Sequence, residues 1–318
     1  MTATLDTPTS TGTAQAPAAV VLVRPHHFRP NPETVADNSF QRPARGGDTA
    51  GPAHAEVTAL TATLEAHGVR VHLVEDTGHT TPDSVFCNNW FSTHPDGTVV
   101  VYPMHAENRR GERRADVLEL LARDYVVTRT LDLGAGVTPG TALEGTGAMV
   151  LDHRSRTAFV CRSRRTDPAL LQRFCRELEF EPVVVDAEDD GVPVYHTNVL
   201  MSVGTDVALV GTGLLTDAGQ RRQLVAALEG SGREVVDLPR EAIRNFAGNC
   251  LELQGSQRLL ALSERAERAL PDRVRAVVEN HVRLLPVPVP TLELAGGSVR
   301  CTLGGIHLTP RSGSDHQR

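Results

Sequence analysis

The chain has 318 residues, 40% hydrophobic and 22% charged, the balance of an ordinary globular protein with room for one large or two medium domains. A net charge of −7 and an aromatic content of only 4% exclude a broad electrostatic or stacking grip on nucleic acid. All 32 basic residues are arginine, which excludes a lysine Schiff base and a Walker lysine.

In chain order, "MTATLDTPTSTGTAQAPA" is rich in Thr, Ala and Pro and lacks the basic start of a signal peptide, so a disordered tail is expected over 1–18. Strands are predicted over 19–23, 69–74, 98–102, 148–152, 157–161, 182–186, 206–210, 234–238, 250–253 and 258–262. Helical spacing of apolar residues predicts helices over 54–67, 111–124, 167–178, 217–230 and 264–283. Asp167 ahead of Pro168 is a start signal for the third. With no Pro/Gly linker dividing it, the chain reads as one α/β domain over 19–309 with a short tail over 310–318. No apolar run approaches the roughly 20 residues of a membrane span. The five cysteines are scattered, odd in number and without a CxxC pair, so a soluble cytoplasmic protein is expected.

A repeat is visible in the polar residues. Asp83 in "TPDSVF", Glu144 in "LEGTGAM", His196 in "VYHTNVL", Asn249 in "FAGNCLEL" and Cys301 in "GGSVRC" each interrupt an apolar or glycine-rich strand-end segment. Their successive spacings are 61, 52, 53 and 52 residues, and each follows a helix and a strand. Five units of roughly 50 residues that each present one polar group to a common axis would close into a ring.

Several of these residues carry chemistry as a set. Cys301 follows two glycines that let backbone approach a ligand closely, although a lone cysteine in an apolar strand is usually a small core residue. His196 and Asn198 would share one side of an alternating strand. A histidine near a strand end is more often structural. Glu144 sits among glycine and apolar residues, where an unpaired carboxylate is costly and needs a partner. A histidine held by that Glu and facing a cysteine has the logic of nucleophilic catalysis. Asp83, after Pro82, reads equally well as a turn cap. Arginines of "YPMHAENRRGERR" and "RSRRT", Arg109 and Arg165 among them, offer forks for a carboxylate. No GxSxG, GxGxxG or HExxH occurs, and His26–His27 lack metal-ligand spacing, so no metal or cofactor is expected.

The stretches "VRPHHFRPNPETVADNSFQ", "DSVFCNNWFSTH", "YPMHAENRRGER", "LEGTGAMVLD", "YHTNVLMSVG", "FAGNCLEL" and "GGSVRC" together resemble the guanidino-group-modifying superfamily, the penteins. The match is to its citrulline-utilisation hydrolase, or amidinotransferase-related, branch and runs from about residue 20 to 308. The resemblance implies a five-bladed α/β propeller of ββαβ-type units. It also implies Cys301 as nucleophile, His196 as general acid/base and Glu144 as its orienting carboxylate. Asp83 would hold the nitrogen end of the substrate, Arg109 and Arg165 its α-carboxylate, and Asn198 and Asn249 would belong to the substrate site. Two departures stand out: Cys250 replaces an expected hydrophobic residue, usually Met, and "CTLGGIHL" lacks the usual acidic residue.

The expected activity is hydrolysis of a terminal C–N bond of a ureido or guanidino amino acid, first citrulline, to ornithine, ammonia and carbon dioxide. Arginine-cleaving relatives commonly place Asp two residues after the His; Asn198 would donate to the carbonyl oxygen of a neutral ureido group. Arginine deimination or dihydrolysis, amidino transfer to an amine, and a non-catalytic propeller that serves as a binding factor are the alternatives. The expected partner is a small amino-acid substrate, with no nucleic acid and no membrane; a homo-oligomer is compatible with it.

Overall fold

Five three-stranded sheets repeat one pattern in the computed structural model, which describes residues 14–42 and 46–312. In each, a central strand pairs antiparallel with one neighbour and parallel with the other, and helix lies between the two parallel strands. The second unit runs Phe91–Thr93, Thr98–Val101, helix Ala115–Asp124, Arg129–Asp132. The third runs Met149–Asp152, Thr157–Cys161, helix Pro168–Leu178, Glu181–Val185. The fourth runs Met201–Val203, Val207–Val210, helix Ala218–Gly230, Glu234–Asp237. The fifth runs Leu251–Gln254, Arg258–Ser263, two short helices, Arg283–Val287. In the first unit the chain ends meet: Ala19–Pro25 pairs antiparallel with Gly304–Ile306 and parallel with Arg70–Asp76, across helix Ala50–Ala66.

The elements follow from local chemistry. Val207–Val210 and Thr98–Val101 are buried on both faces, which is why they read as continuous apolar runs without alternation. Helix Pro168–Leu178 begins where the Asp167 carboxylate accepts from the Ala169 and Leu170 amides. It ends where Glu179 turns left-handed, at φ 55°. Units are also tied to each other by charge: Arg233 grips Asp152 with two bonds of 2.6 and 2.8 Å, both side chains fully buried.

All ten expected strands coincide with observed ones to within a residue or two at their ends. The expected helix over 264–283 is instead two helices, Glu264–Ala269 and Asp272–Glu279, and Arg283 already starts a strand. Pro271 stands between them, with no amide to donate and a ring that clashes with the preceding turn. Strands such as Phe91–Thr93 and Met201–Val203 were not expected, because three residues are too few to show a period.

Of the tail expected over 1–18, residues 1–13 lie outside the described residues. Gln15 is buried, donating to the carbonyls of Leu151 and Val203 and accepting from the His153 amide. Of the tail expected over 310–318, residues 313–318 lie outside the described residues, and Pro310 bridges to Tyr125. Among the described residues no helix is long and apolar enough to cross a membrane.

Candidate active site

A short helical turn stands just before the first strand of several units, and the repeated polar residues sit in or beside these turns. Asp83 precedes Cys87–Asn89, Glu144 caps Gly145–Ala148, His196 caps Thr197–Leu200, and Cys301 lies within Val299–Thr302. Asn249 stands two residues before Leu251–Gln254. The expectation of strand ends is therefore corrected, and with it the alternating strand through His196 and Asn198. His196 is extended, but Asn198 is helical. Long-range bonds override the β propensity of "YHTNVL": the Thr197 hydroxyl donates to the Ala148 carbonyl and accepts from the Cys161 amide at 2.7 Å.

The turns converge on one small cavity, of about 10 Å³, lined by Asp83, Arg109, Arg165, His196, Cys301 and Tyr195 among others. Glu144 Oε2 lies 2.8 Å from His196 Nε2, with both side chains buried. Glu144 also accepts from the His105 amide at 2.9 Å and from Arg165 at 3.3 Å, and Arg109 stands 3.6 Å away. Burial opposes ionisation of Glu144, but Arg165, the His196 bond and Arg109 together hold it well below the ordinary carboxylate range. Burial pushes His196 down, more than its Glu144 partner lifts it, so the ring is neutral near pH 7. A carboxylate only accepts, so the proton of that neutral ring sits on Nε2 and leaves Nδ1 with a free lone pair.

That ring needs Gly147 beside it: a Cβ there would meet His196 Nδ1 and Cε1 at 2.8 Å and would overlap the Asn89 amide. Cys301 is 2% exposed, and its sulfur accepts from Asn249 Nδ2 at 3.2 Å and Asn198 Nδ2 at 3.4 Å. Asn249 donates as well to the Asn198 carbonyl, which can only accept, and this fixes its amide orientation. Burial pushes the thiols of Cys87, Cys161 and Cys250 up to about 12 and that of Cys175 to about 11, which keeps all four from acting as nucleophiles. Cys250 packs in the core, where its thiol fills the place of the expected larger hydrophobe.

Around the site three buried oxygens, Asp83 Oδ1, Asn198 Oδ1 and Asn249 Oδ1, have no donor among the described residues. Asp83 takes one bond, from Asn31 at 2.8 Å. Burial raises its pKa despite Arg109. The Asn198 amide donor, expected to face a substrate carbonyl, is instead directed at the Cys301 sulfur.

The two arginines are occupied. Arg109 holds Glu112 with two bonds of 2.9 Å and donates to Asn89 at 3.0 Å. Arg165 holds Asp37 at 3.0 and 2.7 Å and lies over the Tyr195 ring at 4.7 Å. Neither presents a free fork for a substrate carboxylate. Glu112, Asn31, Asp37 and Asn89 escaped the sequence reading. Their one available signal was the motif "NPETVADN" around Asn31 and Asp37, and the spacing of three between Arg109 and Glu112.

Among the described residues, His26, His54 and Glu75 form the one group able to hold a metal ion, and Glu75 is already paired with Arg24 and His26. None of the three lines the Cys301 cavity.

The chain from 24 to 308 matches the family model for N,N dimethylarginine dimethylhydrolase, eukaryotic. No curated protein matches it in sequence. Among solved structures it is similar to ArgZ, an arginine dihydrolase from the ornithine–ammonia cycle in cyanobacteria, with a TM-score of 0.71 at 16% identity. There 90% of this chain is covered but only 40% of the neighbour; against the substrate-bound N-terminal domain of ArgZ alone, 91% and 99% are covered. A dimethylarginine dimethylaminohydrolase adduct with S-methyl-L-thiocitrulline is similar over 90% of this chain and 98% of that one, with a TM-score of 0.64 at 15% identity. At such identity these neighbours speak for the fold, a mixed α/β fold of the pentein kind. With 24–308 matched, the chain belongs to the dimethylarginine dimethylhydrolase family of the pentein, guanidino-group-modifying superfamily.

Proposed function

We propose that the protein hydrolyses a C–N bond at the guanidino group of arginine or an arginine derivative through a covalent Cys301 intermediate. The carrying observation is a cavity lined by Cys301, by His196, whose ring Glu144 holds from behind, and by Asp83, one oxygen of which lacks a donor. Cys301 gives its thiol proton to Nδ1 of His196, and the thiolate so formed adds to the central guanidinium carbon, steadied by the Asn198 and Asn249 donors. His196 delivers a proton to the departing nitrogen, ammonia or an alkylamine, as the C–N bond breaks. Water then adds to the same carbon, gives its proton to His196, and the C–S bond breaks to release a ureido product and the thiolate. A second round on that product would make the enzyme a dihydrolase, with ornithine, ammonia and carbon dioxide as products.

The unpartnered acceptors revise the substrate expected from the His–Asn motif. A guanidinium carries only donors, which suits the free oxygen of Asp83 and those of Asn198 and Asn249. Citrulline brings a carbonyl oxygen that needs a donor, and the Asn198 donor would have to leave Cys301 to supply it. Amidino transfer would require an amine to replace the water step. The five sheets are proposed to close as a five-bladed ring around this cavity, in keeping with the shared sheet of the two chain ends.

Purified protein incubated separately with arginine, Nω-methylated arginines and citrulline, with ammonia, alkylamine, citrulline and ornithine quantified, tests this. Turnover of an arginine-type substrate is expected. Turnover of citrulline alone would return the assignment to a citrullinase.

A further inference from the structure

One residue before the nucleophile, Arg300 lines a second cavity, of about 40 Å³. Its walls come from the first strands of all five units: Thr93, Leu151, Ser202, Leu251 and Gly305 represent them. No acidic residue lines it, and Arg300 is its single permanent charge. The fully buried guanidinium groups each have a carboxylate: Arg109 has Glu112, Arg165 has Asp37, Arg233 has Asp152; Arg300 is half-buried. Arg300 forms no ion pair among the described residues, and its one hydrogen bond runs from Nη1 to the Leu303 carbonyl at 3.1 Å. A guanidinium has five donors, so most of its capacity is unspent.

A second donor faces the same space. His153 is 5% exposed, lines the cavity, and its Nδ1 has no partner. The His307 ring lies against it, with centroids 3.9 Å apart, and also lines the cavity. Burial drives His153 well below its ordinary range, and His307, His94, Arg156 and Arg300 push it the same way. Such a ring is neutral and carries one N–H, which an anion in the cavity would draw to the unpartnered Nδ1. Gln15 is pinned against the cavity wall by Leu151, Val203 and the His153 amide. The space therefore has a cation and an unpartnered ring nitrogen but no carboxylate of its own.

We propose that this cavity binds a small inorganic anion, a halide or a tetrahedral oxyanion, between the Arg300 guanidinium and His153 Nδ1. The occupant supplies the counter-charge that the fully buried Arg109, Arg165 and Arg233 find within the chain. It also sets the field beside Cys301, since the cation it neutralises belongs to the adjacent residue. This site uses none of the groups assigned to the reaction, so its test stands apart from the substrate assay.

Full-length protein is exchanged into HEPES with no small anion, then titrated with bromide, chloride, sulfate or phosphate at constant ionic strength. Melting temperature and heat of binding are followed. Saturable stabilisation is expected, with affinity falling about tenfold or more in Arg300→Met, the loss expected for a charge-assisted bond. The anion that saturates at the lower concentration distinguishes halide from oxyanion. Equal, unsaturable shifts in wild type and variant overturn the proposal. Should Arg300→Met not fold, crystals of the wild type grown with bromide give the second reading. An anomalous peak within about 3.5 Å of the Arg300 guanidinium, with bromide or with selenate in parallel crystals, supports the site, and its absence at saturation with both overturns it.

Discussion

Glu144 Oε2 stands 2.8 Å from Nε2 of His196, across 52 residues of sequence, and so decides which ring nitrogen is left to move protons. The carboxylate can only accept, which places the ring proton on Nε2 and keeps Nδ1 free. In Glu144→Gln the side chain keeps its shape but loses its charge and its bias for that tautomer. We expect kcat to fall by about 10²–10⁴-fold, the range for losing an orienting carboxylate. The melting temperature should fall too, because Arg165 and Arg109 lose part of their counter-charge. Steady-state kinetics and calorimetry check both; unchanged kcat would remove Glu144 from the mechanism.

Cys301→Ser replaces a soft thiolate by a poorly nucleophilic hydroxyl in a fully packed turn. Turnover should drop by at least about 10³-fold with the circular dichroism spectrum preserved, and mass spectrometry should detect no substrate adduct. Full retained activity would falsify the assignment of the nucleophile.

Asn198 and Asn249 aim their amides at the Cys301 sulfur from 3.4 and 3.2 Å. Either Asn→Ala removes one donor to a developing thiolate, and each is expected to slow iodoacetamide alkylation about tenfold at neutral pH. Asn249→Ala should also cost stability, since the Asn198 carbonyl loses its donor. Alkylation rates equal to wild type in both variants would show that these amides do not support the thiolate.

Gly147→Ala puts a methyl 2.8 Å from His196 Nδ1. The ring must leave its bond to Glu144, so kcat should fall about 10²-fold, the usual consequence of misplacing a catalytic group by an ångström. A crystal structure of the variant with the His196–Glu144 bond intact, or kinetics at wild-type level, would contradict this.

His94 is buried beside Phe174, with its ring 2.8 Å from the Ser92 hydroxyl. Burial, then the charge of His307, brings its pKa down to about 3. The folded value lies below the unfolded one of about 6.5, so the unfolded chain binds the extra proton first. The contribution of neutral His94 is fully present above pH 6.5 and is lost as pH falls toward 3. Between pH 7 and 5 wild type should lose about 2 kcal/mol relative to His94→Gln. Parallel denaturation curves for the two proteins across that range would refute it.

Much of the fold was legible because its strands are Val-rich runs and its helices carry caps and apolar stripes, both local properties. The spacing of Asp83, Glu144, His196, Asn249 and Cys301 likewise exposed the repeat. Pro271 was equally visible, yet the apolar period on both sides of it suggested one helix where two exist. The strand assigned to "YHTNVL" failed for a different reason: β-branched residues prefer strands, but Thr197 is tied to Ala148 and Cys161, residues 49 and 36 positions away.

The sequence alone determined which reactive side chains exist and where in each repeat they fall, since residue type and spacing are written along the chain. Only the tertiary structure decided who holds whom. Arg109 and Arg165 are closed by Glu112 and Asp37, Asn198 spends its donor on a sulfur 103 residues away, and Arg300 is left without a carboxylate. Those outcomes depend on distances of a few tenths of an ångström between segments from different units, and burial raises the cost of each unmet partner.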